Sequence, residues 1–284
     1  MILIADSGST KTDWAVLGTM VSTTVRVGTQ GINPILFTDE QIDSVLQVEL
    51  LPKLLEAGIS SELVQQVFFY GAGCAGTSAC RVSERLALYF PKAQIAAGSD
   101  LLGAARAVLG HEEGIACILG TGANSCVYDG ERITSHIPPL GYILGDEGSG
   151  AVLGRNFLNG ILKGWLPSTL RDAYFSESGQ NDEDIIERVY RQPLANRYLA
   201  TIVPFIYRHL NEPALSLLVE DNFEAFFQFN VLRYSTPSHR LACVGGMTVP
   251  FKDILQKVAH RHGFDLIRVL RSPIEGLVLY HQYS

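Results

Sequence analysis

The chain begins with apolar residues at 1–5, turns small and polar over Asp6-Ser7-Gly8-Ser9-Thr10-Lys11, and resumes a β-branched and apolar alternation at Thr12. Bounded by turn formers, this pattern predicts strands over 2–5, 12–17 and 21–27, a meander that opens with a hairpin. Between 38 and 55 the apolar positions Ile42, Val45, Leu46, Leu50, Leu54 and Leu55 recur at helical spacing. Strands over 67–70 and 94–97 then alternate with helices covering 82–88 and 101–109.

The same order starts again at 114–119, an apolar run that leads into the small-residue turn 120–125 and strands over 126–129 and 131–136. Strand, Gly/Thr turn, strand, turn, strand therefore occurs twice, which predicts a duplicated α/β design. After Gly148 the spacing is helical through 151–162, 185–190, 198–210 and 215–229. A strand over 240–244 ends in Gly245-Gly246, a helix runs to about His260, and a strand over 266–269 precedes a closing helix. Ser272-Pro273-Ile274-Glu275 marks the start of that helix, with Ser at the cap, Pro in the first turn and Glu three residues after Ser. A chain of 284 residues has room for two domains. The division predicted is 1–109 and 110–284, the second with a helical insertion and with helix 272–284 packing back on the first.

Composition narrows the function classes. Hydrophobic residues at 47% and charged ones at 18% describe a globular chain. Lys and Arg number 22 against 29 Asp and Glu, a net charge of -7, and no basic run is present to neutralise a phosphate backbone, so nucleic acid is not an expected partner. Cys74, Cys80, Cys117, Cys126 and Cys243 form no CxxC pair and read as reduced thiols. No apolar stretch is long enough for a bilayer and the first residues do not read as a signal peptide, so a cytoplasmic protein without membrane contact is expected.

Three small-residue turns follow apolar strands, at 8–12, 120–125 and 245–248, and such turns present backbone N–H groups that suit anions, phosphate above all. None is a GxxxxGK[ST] or GxGxxG loop. Asp6 beside the first turn would repel phosphate unless a cation such as Mg²⁺ stood between them, with Lys11 available for a transferred phosphoryl group; alternatively Asp6 caps the hairpin locally. Asp100 follows a predicted strand and begins a helix, where ligand crevices form in α/β sheets. It is a candidate base for an acceptor hydroxyl, or else Ser99 or Asp100 simply caps that helix. Asp146 and Glu147, adjacent acceptors, suit the paired hydroxyls of a sugar, or cap the following helix. The seven histidines show no metal-ligand spacing.

Asp6-Ser-Gly-Ser-Thr-Lys-Thr is similar to the phosphate-1 motif of the sugar kinase, heat-shock-protein-70 and actin superfamily, Leu119-Gly-Thr-Gly-Ala-Asn to its phosphate-2 motif and Val244-Gly-Gly-Met to its adenosine motif. Within it, GSDLLGAARAV, LGTGANS and PPLGYILGDEGSGAVLG resemble the N-acetylglucosamine kinases and the related BadF/BadG ATPases, over nearly the whole chain. The resemblance implies two ribonuclease-H-like, actin-like ATPase domains with a nucleotide cleft between them. It implies an ATP- and Mg²⁺-dependent kinase acting on the 6-hydroxyl of an amino sugar, N-acetylglucosamine first of all. By the same resemblance Asp6 holds Mg²⁺ through water, Gly8, Ser9, Thr10, Lys11, Thr121 and Gly122 serve the phosphates, and Gly245 and Gly246 the adenosine. Asp100 is then base and sugar ligand, with Asn33, Asn124, Gly141 and Asp146 as further sugar ligands. Leu140 stands where the family carries a tryptophan two residues before the aromatic, here Tyr142. Members of this class often pair into homodimers. The alternative is a BadF-type ATPase that activates an iron–sulfur dehydratase or reductase; such activators need cluster thiolates, whereas Cys117 and Cys126 lie on apolar strands better suited to packing.

Overall fold

In the computed structural model, which describes residues 1–8, 10–18 and 24–282, the first apolar run becomes strand β1 (Ile2–Ser7). It pairs antiparallel with β2 (Lys11–Leu17), which pairs antiparallel with β3 (Val25–Gln30). The strand expected over 21–27 thus lies further along, and positions 21–23 are outside the described residues. On the other side of β1 come β4 (Gln66–Gly71) and β5 (Gln94–Ser99), both parallel to it, giving the order β3-β2-β1-β4-β5.

The helix expected over 38–55 is interrupted. Helix α1 (Asp39–Ser44), opened by a reciprocal cap between Thr38 and Gln41, passes into a π-helical stretch, Val45–Leu50, before α2 (Leu51–Glu56). Pro52 has no N–H for the carbonyl four residues back, and the Leu51 N–H reaches five back to Leu46 instead, so the ladder widens. The widened turn keeps Ile42, Val45, Leu46, Leu50 and Leu54 in the core and leaves Leu55 70% exposed. Helices α3 (Thr77–Tyr89) and α4 (Asp100–Leu109) follow β4 and β5.

The second sheet repeats the plan. Strand β6 (Glu113–Leu119) pairs antiparallel with β7 (Ala123–Asp129), and β7 with β8 (Ile133–His136). Strands β9 (Arg240–Val244) and β10 (Asp265–Leu270) add in parallel on the other side, giving β10-β9-β6-β7-β8. Each sheet is therefore an antiparallel three-strand meander extended by two parallel strands, a mixed α/β design used twice. A short helix α5 (Gly141–Leu144) and then α6 (Gly150–Lys163) follow β8. Helix α7 (Ser168–Ser178) escapes the sequence pattern because only Leu170 and Tyr174, one turn apart, are buried. After α8 (Asp182–Tyr190) the helix expected over 198–210 is two, α9 (Ala195–Ala200) and α10 (Val203–Arg208). Pro204, in the first turn of α10, cannot donate to the carbonyl of Ala200, and the ladder breaks there. Helices α11 (Pro213–Phe229), α12 (Lys252–Arg261) and α13 (Ile274–Gln282) complete the chain. By contacts it divides into two units, Met1–His111 with Gly130–Arg132 and Pro273–Ser284, and Glu112–Asp129 with Ile133–Ser272. Among the described residues no helix is long and apolar enough to cross a membrane.

Helix α13 belongs to the first unit, where it lies on α4, β1 and β2. Its His281 is 5% exposed and stacked on Phe68 with ring centroids 3.8 Å apart. Arg106 Nη1 donates to the Tyr70 phenol oxygen at 2.8 Å, so the phenol O–H is directed to His281 Nε2, 2.9 Å away. Burial first, and then the nearby charge of Arg106 and the ring of His111, push the His281 pKa from 6.5 down to about 4. The ring is neutral in the fold, and the unfolded chain takes up its proton first as pH falls. The stability tied to this group is present above pH 6.5 and lost on the way down to about 4. Thermal midpoints of the wild type should therefore drop across that window, and the drop should be shallower in His281→Phe, which starts lower at neutral pH because Tyr70 loses its acceptor.

Candidate active site

Parallel pairing brings the predicted residues to common edges. In the first sheet Ser7, Gly71 and Ser99 are register partners at the carboxyl ends of β1, β4 and β5, so the turn after β1, the loop after β4 and Asp100 after β5 all leave from one edge. In the second, Ile118, Val244 and Leu270 align in the same way. Carboxyl edges are where crevices open in such sheets.

The first turn is closed by the Gly8 N–H donating to the Lys11 carbonyl at 2.9 Å. Ser9 lies outside the described residues. Beneath the turn Ser7 and Thr12, both fully buried and opposite in register, bring their hydroxyls within 2.7 Å. Ser7 Oγ also donates to the Ile32 carbonyl at 3.0 Å and accepts from its N–H at 2.9 Å. That knot ties the segment carrying Asn33 to the turn. Thr10, exposed, accepts the Gly31 N–H at 3.1 Å through its carbonyl. Asn33 Oδ1 accepts from the Ile35 N–H at 3.0 Å.

Asp6 and Asp13 are direct partners across the β1–β2 ladder, on the same face. Lys11, two residues before Asp13 and hence also on that face, places Nζ 2.7 Å from its carboxylate. Asp13 is a residue the sequence reading passed over; the alternation of Lys11, Thr12 and Asp13 on a strand is the signal that carries it. At the neighbouring strand end Ser99 caps α4, its Oγ accepting from Leu102 N–H at 3.2 Å, while Asp100 accepts from the Leu101 N–H at 2.9 Å. The capping duty thus falls on Ser99. Asp100 is half-buried, and its charge adds to burial in pushing the Cys74 thiol up to about 11.

The second unit assembles a denser cluster. In the turn after β6 Gly120 N–H donates to the Gly122 carbonyl at 2.9 Å, and the carbonyls of Gly120 and Thr121 accept from Gly150 and Ala151 at 2.8 and 3.1 Å. The amino end of α6 is thereby docked on the turn, with Ser149 as its cap. Asp146 reaches the same turn: Oδ1 accepts from the Ala123 N–H at 3.2 Å. Its backbone is left-handed, φ 55, an unusual conformation for a residue with a side chain. Burial raises the Asp146 pKa above the ordinary carboxylate value, the Ala123 N–H opposes this, and the charge of Glu147 adds to the rise. Asn124 Oδ1 accepts from its neighbour's N–H and from His136 Nε2, both at 2.9 Å. His136 was not foreseen, since it arrives from the next strand across a bulged register. Gly141 opens α5, and the Asp146 N–H donates to the Pro139 carbonyl at 2.9 Å, closing the loop beside Leu140, itself 63% exposed.

Gly245 is held by packing: a Cβ there would lie 2.3 Å from the Leu119 carbonyl oxygen, and its φ is +130. Around Gly246 a Cβ would meet nothing within 4 Å. Cys117 and Cys126 are fully buried within β6 and β7, and burial raises both thiols, Cys126 to about 12. They are packed, protonated thiols.

No family model and no curated protein matches the chain. Among solved structures, a candidate N-acetylglucosamine kinase from Porphyromonas gingivalis is 46% identical, with 100% of this chain and 99% of that one covered and a TM-score of 0.94. A candidate N-acetylglucosamine kinase from Chromobacterium violaceum shares the fold at 19% identity, 98% coverage of both chains and TM-score 0.70. So does a ROK family glucokinase from Streptomyces griseus in complex with glucose and AMPPNP, at 14% identity, 99% coverage of both chains and TM-score 0.52.

Two stability experiments follow from this geometry. Gly245→Ala should cost about 2–4 kcal/mol in thermal or urea unfolding, because backbone meets backbone, whereas Gly246→Ala should fall within about 1 kcal/mol of wild type. Asp146→Asn should raise the midpoint at neutral pH, since the fold penalises the ionised carboxylate. That advantage should fade as pH falls through the raised folded-state pKa of Asp146 towards the ordinary 3.8, because the folded wild type takes up its proton first.

Proposed function

The chain belongs to the N-acetylglucosamine kinase family of actin-like sugar kinases, and from that premise we propose that it transfers the γ-phosphoryl group of ATP to the 6-hydroxyl of an amino sugar, N-acetylglucosamine foremost. The observation that carries this reading is the coupling of Asp146 to the Gly120–Ala123 turn by a hydrogen bond. A carboxylate suited to sugar hydroxyls and a turn suited to phosphate share one rigid element, as a phosphoryl acceptor and donor must share one site.

Asp100 is the proposed base. Its carboxylate stands at a strand end, on a helix whose cap is supplied by Ser99, and takes the proton of the attacking hydroxyl late in a loose transition state. Asn33, Asn124, Gly141 and Asp146 orient the sugar; Asn124 brings both an amide donor and an acceptor already aligned by His136. The phosphates would lie against the turn of Gly8, Ser9, Thr10 and Lys11 and against Thr121 and Gly122. Gly245 and the open backbone at Gly246 suit a flat base and ribose.

The residues present also fit Mg²⁺. Two carboxylates opposite each other in a ladder repel, and Asp6 and Asp13 sit so, with Lys11 on Asp13. Among the described residues no group of three or more His, Cys, Asp or Glu side chains forms a metal site. Mg²⁺ keeps most of its waters and is commonly held by one or two carboxylates plus substrate phosphates. Bound at Asp6, it would neutralise charge on the phosphate oxygens.

A coupled assay of ADP release tests the reading, run over N-acetylglucosamine, glucosamine, N-acetylmannosamine and glucose. Turnover should depend on sugar and be fastest with N-acetylglucosamine. Asp100→Ala should lower kcat by about 10²- to 10⁴-fold while calorimetry still detects Mg-ATP binding; normal turnover in that variant would remove Asp100 from the mechanism.

A further inference from the structure

Helix α11 carries two buried amides that its own packing does not require. Its other buried positions, Leu215, Leu218, Val219, Phe223, Phe226 and Phe227, are apolar, yet Asn222 is 3% exposed and Asn230, at its carboxyl cap, 6%. Buried amides are costly unless hydrogen-bonded, and both find their partners in the loop that follows Asp146. Asn222 Oδ1 accepts from the Gly148 N–H and Asn222 Nδ2 donates to the Ser149 carbonyl, each at 3.3 Å. Asn230 Nδ2 lies 3.5 Å from Glu147 Oε2. Phe226, between them at helical spacing, fills the remaining surface: Gly148 has φ +83, and a Cβ on it would stand 2.8 Å from Phe226 Cβ. Positions 222, 226 and 230 share one face of the helix, and residues 149, 148 and 147 run along it in the opposite direction.

We propose that this stripe of α11 is the template that holds the sugar loop in its binding shape, with Asn222 as a positioning residue that acts on the substrate through Asp146. A non-glycine residue in the left-handed region persists only where its surroundings over-determine it. Asp146 has φ 55, and the two residues after it are pinned to α11. With the backbone at 148 and 149 held by Asn222 and the Glu147 side chain met by Asn230, the Asp146 carboxylate stays on the Ala123 N–H and presents one fixed acceptor geometry. Asn222 itself touches no substrate. The consequence for substrate rests on the kinase reading above; the consequence for the loop does not.

The test therefore has two arms. Hydrogen exchange of peptides covering residues 145–150, in protein without substrate, should be at least about tenfold faster in Asn222→Ala than in wild type. In steady-state kinetics the same variant should raise the KM for sugar about ten- to hundredfold, with kcat within about threefold and the KM for ATP within about twofold of wild type. Asn222→Asp, which keeps an acceptor for Gly148 but sets an oxygen against the Ser149 carbonyl, should be at least as severe. Adding Asn222→Ala to Asp146→Asn should produce little further loss, since both act through one carboxylate. Should Asn222 variants fail to fold, Asn230→Ala, at the helix end, should give the same pattern more weakly. Unchanged loop exchange overturns the proposal, as does a rise in both KM values together with additive effects in the double variant. If the wild type shows no sugar-dependent turnover the kinase reading falls, and the exchange arm alone decides for or against the template.

Discussion

Parallel register is the constraint on which the site residues of each unit depend. Strands that run the same way and pair without offset must end side by side. Because β1, β4 and β5 end at Ser7, Gly71 and Ser99, whatever follows those residues is delivered to one edge. In the second sheet β10 shifts register by a bulge at 266–268, and the ends of β6, β9 and β10 still align at Ile118, Val244 and Leu270. The antiparallel partner in each unit returns the chain through a short turn, closed by the Gly8 N–H on the Lys11 carbonyl in one and by the Gly120 N–H on the Gly122 carbonyl in the other. Turns of small residues after a strand present backbone N–H groups that suit an anion. Chain direction thus decides the location of the site before any side chain is considered.

The buried polar side chains show how the loops at that edge are held. Ser7, Thr12, Ser149, Asn222, Asn230 and Thr248 are buried, and each bonds at the end of a strand, at the first turn of a helix or in a loop. The cores beneath, around Trp14 and Phe69 in one unit and Phe157, Phe205 and Phe223 in the other, are apolar. Apolar packing holds sheets and helices but has no direction. Hydrogen bonds have both length and angle requirements, and they are concentrated where a backbone must be fixed in place. Asp146 adds the opposite tendency: its carboxylate is kept partly out of water, which disfavours the charge that a sugar hydroxyl would seek as an acceptor. Such a group weakens the fold slightly in exchange for a prepared site.

Much of this was legible in the chain itself. Period-two alternation marked most strands, and the repeat of strand, small-residue turn, strand and strand marked the duplication. Asp146, Asn124, Thr121 and Gly122 were all singled out by residue type and motif, and they lie together in the second unit. Where local reading failed, a proline or a weak period was responsible. Pro52 widened one helix into a π turn and Pro204 divided another, while α7 carries too few apolar residues to show a face.

The sequence alone determined what depends on near neighbours, namely turn chemistry, strand and helix periods, capping residues and the two-fold plan. Tertiary structure decided which polar atoms meet across long separations. Tyr70 and His281 are 211 residues apart, Glu147 and Asn230 are 83, and Gly148 and Asn222 are 74. The physical reason is range. Backbone propensity acts over a few residues and is written in them, whereas an asparagine becomes a clamp only once apolar burial has brought a particular loop against its helix.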